Sequence, residues 1–190
     1  MSAQQSSQLL PGLFSAIEGE GHFSVLHIGP VQPETVALFS AFRCRLYIND
    51  LFAELPLTFV EGDELSLQQR MRALLAYPEE VRFDLCLFWD VFNYLDADAI
   101  RALMEVLQPH LAPAAMAHCF GVHNVRSPQR DCKYSIAAPG ELKLRPRPQA
   151  LPGYAPHPQG RLKELLAGFT VQRSVLLAES RLELLLQAKG

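Results

Sequence analysis

The stretch VLHIGPVQPETVALF, residues 25–39, decides how the rest of the chain is read. Its first four residues are strand-like, Gly29 opens a turn, and Pro33 suits a first helical turn, where its missing N–H costs no hydrogen bond. Ala37, Leu38, Ala41 and Phe42 then supply an apolar helical face. Strand, turn and helix in that order open a doubly wound α/β sheet. Turns of this kind usually carry two further glycines at alternate positions, whereas this one carries Val31 and Pro33.

Working outward, the same alternation continues. A helix is expected within residues 7–18, then punctuation in EGEG (18–21), then a first strand over 22–29. RCRLYIND (43–50) reads as a second strand and TFVEGDE (58–64) as a short third. LSLQQRMRALLAYP places Leu67, Met71, Leu74 and Leu75 on one helical face. FDLCLFWDVFNYLD (83–96) is a continuous apolar run of the type expected for a strand buried on both sides. A helix follows, with Asp96 or Asp98 as its cap, and AAMAHCFGV (114–122) is a fifth strand. Such alternation predicts a mainly parallel, right-handed sheet.

The tail changes character. RDCKYSIAAPGELKLRPRP predicts two short strands around Pro139 and Gly140, and LPGYAPHPQG predicts an extended, proline-broken loop. RLKELLAGF is a helix, and TVQRSVLLAESRLELLLQA predicts an antiparallel hairpin turning near Ala178–Ser180. The expected organisation is one domain over residues 1–190, with an N-terminal extension (1–21) and an insertion (123–160).

Composition fits this picture. Of 190 residues, 49% are hydrophobic and 19% charged, as in a packed globular protein. A net charge of -3 gives no global attraction to nucleic acid or anionic membrane. The N-terminus lacks a basic leader and no apolar run is long enough to span a bilayer, so a cytoplasmic location is expected. Cys44, Cys86, Cys119 and Cys132 are scattered without a CxxC pair, and are expected to be free thiols. His118, Cys119 and His123 suggest a metal trio, but strand alternation points the first two to opposite faces, so no metal is expected.

Five alternating units closed by a helix and a hairpin resemble the class I S-adenosylmethionine-dependent methyltransferase family over residues 22–188. The resemblance implies a Rossmann-like sheet, parallel except for its last strand, with the cofactor at the carboxyl ends of the strands. It also maps the cofactor-binding positions. The family's acidic residue of the first turn, which receives the cofactor ammonium, falls on His27; the first glycine is Gly29, and the next two are Val31 and Pro33. Asp50 falls where a carboxylate accepts the ribose hydroxyls, although it also reads as a cap for LFAEL. Asp63 falls where the adenine amino group is met, although an Asp after a glycine is also an ordinary turn residue. Trp89 would stack on the adenine or cover the sulfonium, or else pack under the helix of residues 96–108.

Methyl transfer needs a nucleophile held in line with the methyl group and sometimes a base. His123 is the candidate base and Asp90 and Asn93 are candidates to orient a small-molecule substrate; a lone His after a strand is also a common surface residue. The proline-rich residues 143–160, with Lys143, Arg145 and Arg147, read as a lid, as a docking segment for a protein partner, or as a solvated connection.

Two functions follow from these positions. With three of four first-turn positions replaced, the chain is expected to have weak or no S-adenosylmethionine binding and a regulatory or protein-interaction role. The alternative is an active methyltransferase on a small molecule, binding its cofactor through Asp50, Asp63 and the Trp89 region. A dinucleotide oxidoreductase ranks last, because a pyrophosphate needs the glycine turn more strictly.

Overall fold

The computed structural model describes residues 1–19 and 21–190. The expected punctuation at 18–21 includes Glu20, which lies outside the described residues. In chain order the elements are β1 (Ala3–Ser6), α1 (Leu10–Ile17), β2 (Phe23–Ile28), α2 (Pro33–Ser40), β3 (Cys44–Asn49), α3 (Leu67–Leu74) and β4 (Phe83–Trp89). They continue with α4 (Ala97–Leu107), β5 (Leu111–Val122), β6 (Cys132–Ala138), β7 (Glu141–Pro146), α5 (Gln159–Leu165), β8 (Phe169–Leu176) and β9 (Arg181–Ala188).

The main sheet has the order β3-β2-β4-β5-β9-β8. β3, β2, β4 and β5 pair in parallel, while β9 runs antiparallel to both β5 and β8. This is the doubly wound α/β sheet with a C-terminal antiparallel hairpin that the alternation predicts. β4 shows why a continuous apolar run was required. Leu85, Leu87 and Trp89 enter one core, with α1, Phe39 of α2 and the β6–β7 hairpin. Cys86 and Phe88 enter the other, with α3, α4 and α5. Both faces of the strand are therefore dry.

Local signals place the helices. Ser66 and Gln69 form a reciprocal capping box at the start of α3. Asp96 caps α4, its Oδ1 accepting from the Ala99 amide at 2.8 Å, while Asp98 pairs with Arg101 instead. The buried side chains of α2 are Thr35 and Phe39, so the face centred on Ala37, Leu38, Ala41 and Phe42 is rotated: Ala37 and Ala41 are exposed. The proline start shifts which residues meet the sheet.

Three other expectations are corrected. Residues 58–64 form no strand. Pro56 cannot donate to a ladder, and a turn closed by the Asp63 amide on the Val60 carbonyl breaks the segment, with Gly62 at φ 87°. The apolar run from 83 does not stay a strand to 96: it ends at Trp89, whose φ is 53°, and residues 91–93 turn into a 3-10 helix. The polar start is not a simple extension, because β1 pairs with β7 and makes a second, three-stranded sheet of order β1-β7-β6.

Glu183 of β9, within the stretch expected only to form a hairpin, organises the N-terminal region. It is fully buried on the α1 side of the sheet. Its carboxylate accepts from Ser7 Oγ and from the backbone amides of Gln8 (3.1 Å) and Leu9 (3.4 Å), and it pairs with His118 Nε2 at 2.8 Å. The amides belong to the chain entering α1, so the carboxylate also sits at that helix's positive end. These bonds hold the Glu183 carboxyl below its usual range despite the burial that opposes them.

Replacing Glu183 with Ala leaves Ser7, two amides and His118 without their buried acceptor. A loss of about 3–5 kcal/mol in urea unfolding is expected. Asp96→Ala, which removes one exposed helix cap, is expected to cost about 1 kcal/mol. Equal costs for the two variants would show that the buried carboxylate does not organise the fold.

Candidate functional site

The carboxyl ends of β2, β3, β4 and β5 gather most of the residues that the sequence singles out, because loops diverge there in an open α/β sheet. At the end of β2 the Gly29 amide donates to the Asn49 carbonyl at 2.8 Å, and its φ of 130° is open only to glycine. A Cβ at this position would meet only ordinary contacts, the nearest 3.5 Å away on His27, so conformation and not space requires the glycine. Val31 projects outward, 58% exposed.

His27 is buried, and its Nε2 accepts from the indole Nε1 of Trp89 at 3.1 Å. The proton of the neutral ring therefore sits on Nδ1. Burial lowers its pKa to about 4. Trp89 itself is buried, stacked on Tyr134 with centroids 5.3 Å apart and planes 6° from parallel. It belongs to the core beneath the β6–β7 hairpin and not to the α4 side, so it neither lines an open cleft nor packs under the helix of residues 96–108.

Asp50 precedes a 3-10 turn over Leu51–Glu54 but makes no side-chain cap bond, and its Oδ1 is buried without a partner. Burial raises its pKa, with Arg147 pulling the other way. Asp63 stands apart, exposed and paired with Arg70 at 3.4 Å. Asp90 and Asn93 are buried at the exit of β4; Tyr134 donates to Asp90 Oδ2 at 3.5 Å. His123 is exposed, with its amide donating to the Ser180 carbonyl at 2.7 Å. The cavity that Asp90 and Asn93 line, with Tyr134, Tyr154, Arg130 and Arg181, measures about 10 Å³, room for one water. His123 does not line it. His118 and Cys119 fall in the opposite cores that alternation predicts, His118 against Trp89 and Cys119 among the α4-side residues.

What the sequence did not disclose is how much of the chain lies over this end of the sheet. The hairpin is tied to the start of α2: the Ile136 amide donates to Thr35 Oγ1 at 3.1 Å, and Lys143 and Arg145 both pair with Glu34. Arg145, then Lys143, hold the Glu34 carboxyl far below the usual range. Arg145 also donates to Gln32 at 3.2 Å. Beyond the hairpin, the Arg147 guanidinium lies over the Phe52 ring, 4.6 Å from its centroid; burial raises the pKa values of Asp50 and Asp90, and the Arg147 charge opposes it without reversing it. The proline-rich segment then follows the β4 exit, with the Ala155 amide on the Asn93 carbonyl at 2.9 Å and His157 on the Leu95 carbonyl at 2.7 Å. The basic residues were visible in the sequence; their carboxylate and aromatic partners, about a hundred residues away, were not.

No family model matches the chain, and no curated protein matches it. Among solved structures, the chain is similar to the 1,6-didemethyltoxoflavin-N1-methyltransferase of Burkholderia thailandensis with bound 1,6-didemethyltoxoflavin and S-adenosylhomocysteine. The TM-score is 0.53 at 17% identity, over 96% of this chain and 78% of that one. The fold is that of the class I S-adenosylmethionine-dependent methyltransferases. A Nostoc punctiforme protein described provisionally as an O-methyltransferase is similar at TM-score 0.51 and 10% identity, over 96% of this chain and 56% of that one. The pyocyanin biosynthetic protein PhzM aligns over 88% of this chain at 16% identity and TM-score 0.47, and this chain spans 50% of its length. The short third strand expected at residues 58–64 is absent from this chain's main sheet.

Two buried groups of the site titrate in opposite senses. Burial raises the Asp90 pKa to about 7, against the opposing pull of Arg147, Tyr134 and Arg181. Its contribution to stability is complete below the unfolded value near 4 and is lost as pH rises to about 7. The His27 contribution is complete above about 6.5 and is lost as pH falls to about 4. Asp90→Asn is therefore expected to match the wild type near pH 4 and to exceed it near pH 8, by up to ~4 kcal/mol, in urea unfolding. A gain independent of pH would show that Asp90 does not titrate in this window.

Proposed function

We propose that this protein keeps the methyltransferase fold but binds S-adenosylmethionine weakly or not at all, and acts as a regulatory or protein-interaction module. The observation that carries this reading is Arg147. Its guanidinium lies on Phe52, the second residue after Asp50, and its charge opposes the burial that raises the Asp50 and Asp90 pKa values. A fixed cation at this end of the sheet opposes the approach of a positively charged sulfonium cofactor.

The first turn supports the same reading. An ammonium needs an anionic or well-oriented acceptor, and His27 is neutral, buried and already committed to Trp89. Val31 and Pro33 deny the backbone freedom by which glycines admit a ligand. The helix start behind them is engaged by Thr35 and Glu34 with the hairpin. The protein-facing role falls to the proline-rich segment, where Pro148, Gln149 and Ala150 are exposed.

A second reading, an active methyltransferase on a small molecule, is favoured by the unpartnered buried Oδ1 of Asp50, which fits a ribose hydroxyl donor. Bound cofactor would supply the methyl group. Asp50 would then hold the ribose, with Asp90 and Asn93 at the acceptor side after the proline-rich segment moved aside.

Calorimetric titration with S-adenosylmethionine and S-adenosylhomocysteine, backed by thermal melts, separates the two. Silence in both is expected, since ligand at about a hundred times its dissociation constant would add roughly 2.7 kcal/mol. Micromolar binding to the wild type sinks the first reading and favours the second, which methyl transfer from labelled S-adenosylmethionine to a small-molecule acceptor then tests. Binding that appears only in Arg147→Ala identifies the guanidinium as the occluding group and supports the first.

A further inference from the structure

Arg181 opens β9 opposite Val122, at the carboxyl end of β5. It is only 7% exposed, and its Nε and Nη1 atoms are buried without any acceptor. Its remaining nitrogen, Nη2, donates to Gln5 Oε1 at 3.4 Å, and Arg130 Nη1 donates to that same oxygen at 3.1 Å. Two guanidinium groups therefore converge on a single neutral amide. The one carboxylate bonded to either is Glu179, which takes Arg130 Nε at 3.4 Å at the exposed rim. Burial and the charge of Arg130 both lower the Arg181 pKa.

A desolvated cation beside another cation is costly unless an anion joins them. Arg181 and Arg130 both line an open cavity of about 290 Å³, walled by Leu144, Leu177 and Ala178. Past Arg130 a second cavity of about 250 Å³ continues along Leu144, Cys132 and Pro146. The unpartnered donors are Nε and Nη1 of one planar guanidinium and Nε2 of Gln5. Two guanidiniums that share one neutral acceptor beside aliphatic walls suit an anion with an apolar body, which satisfies the charge and covers Leu144 and Leu177 together, better than a fully hydrated phosphate.

We propose that Arg130 and Arg181 form a binding site for a small organic carboxylate with an apolar body. The carboxylate bridges the two guanidiniums and the body lies against Leu144 and Leu177. The site is formed where β1 meets β7 and β9, away from His27, Gly29 and Asp50, although Arg130 and Arg181 also line the one-water cavity of Asp90 and Asn93 from its far side.

The test is calorimetric titration and thermal melts of the full chain with benzoate and octanoate, with benzamide as the uncharged counterpart and inorganic phosphate and sulfate as alternative anions. The carboxylates are expected to bind saturably and raise the melting temperature, while benzamide does neither. Arg130→Ala, at a half-buried position, is expected to weaken benzoate by about tenfold or more. Arg181→Lys keeps the charge but not the planar fork, and is expected to weaken it as well. The proposal is overturned if no carboxylate binds, if benzamide matches benzoate, if phosphate or sulfate binds more tightly than either carboxylate, or if Arg130→Ala binds as the wild type does.

Discussion

The buried carboxylate of Glu183 is the contact on which the rest of the arrangement rests. It joins β9 to β5 through His118 and to the entry of α1 through Ser7, Gln8 and Leu9. With that entry fixed, the residues before it lie along β7 and complete the small sheet. The small sheet in turn sits on the start of α2 and leads into Arg147 above Phe52. A carboxylate deep in the sheet thus controls what covers the strand ends, although it is bonded to none of His27, Gly29 and Asp50. Its burial is tolerable because each oxygen has donors; the same group without them would cost several kcal/mol.

The main sheet was legible because its cause is local. Apolar runs of strand length, separated by helical periods, specify layers whatever the distant partners are, and β2, β3, β4, β5 and the final hairpin lie where those patterns put them. Two failures came from reading pattern without backbone constraint. Residues 58–64 alternate acceptably but follow Pro56 and contain Gly62, so the chain turns instead of pairing. The run from 83 to 96 is apolar throughout, yet Trp89 takes a positive φ and only the first half is extended. β1 was invisible because AQQS has no apolar signature; its strand character is imposed by β7.

The site was legible only in part, since function depends on convergence across long separations. Asp50, Asp90 and Asn93 do stand at the strand ends, as the strand order requires. Trp89 was open between facing the cofactor and packing under the helix of residues 96–108, because residue type alone cannot say which of two cores a strand residue enters; the Leu85, Leu87, Trp89 alternation puts it under the β6–β7 hairpin. The importance of Glu183 was also readable in principle: it is the lone acid in a run of leucines and falls on the same phase as Leu185, toward the α1 core.

The pairing of Ser7 with Glu183 also has a bearing on the order of folding. The two residues are 176 positions apart, and Gln4 meets Glu141 across 137. Closing loops of such length is slow because chain entropy is lost before any contact compensates for it. The parallel strands from β2 to β5 are available much earlier in synthesis. The entry of α1 takes its buried acceptor from β9, so its hold on the sheet is complete only when the two ends of this long loop have met.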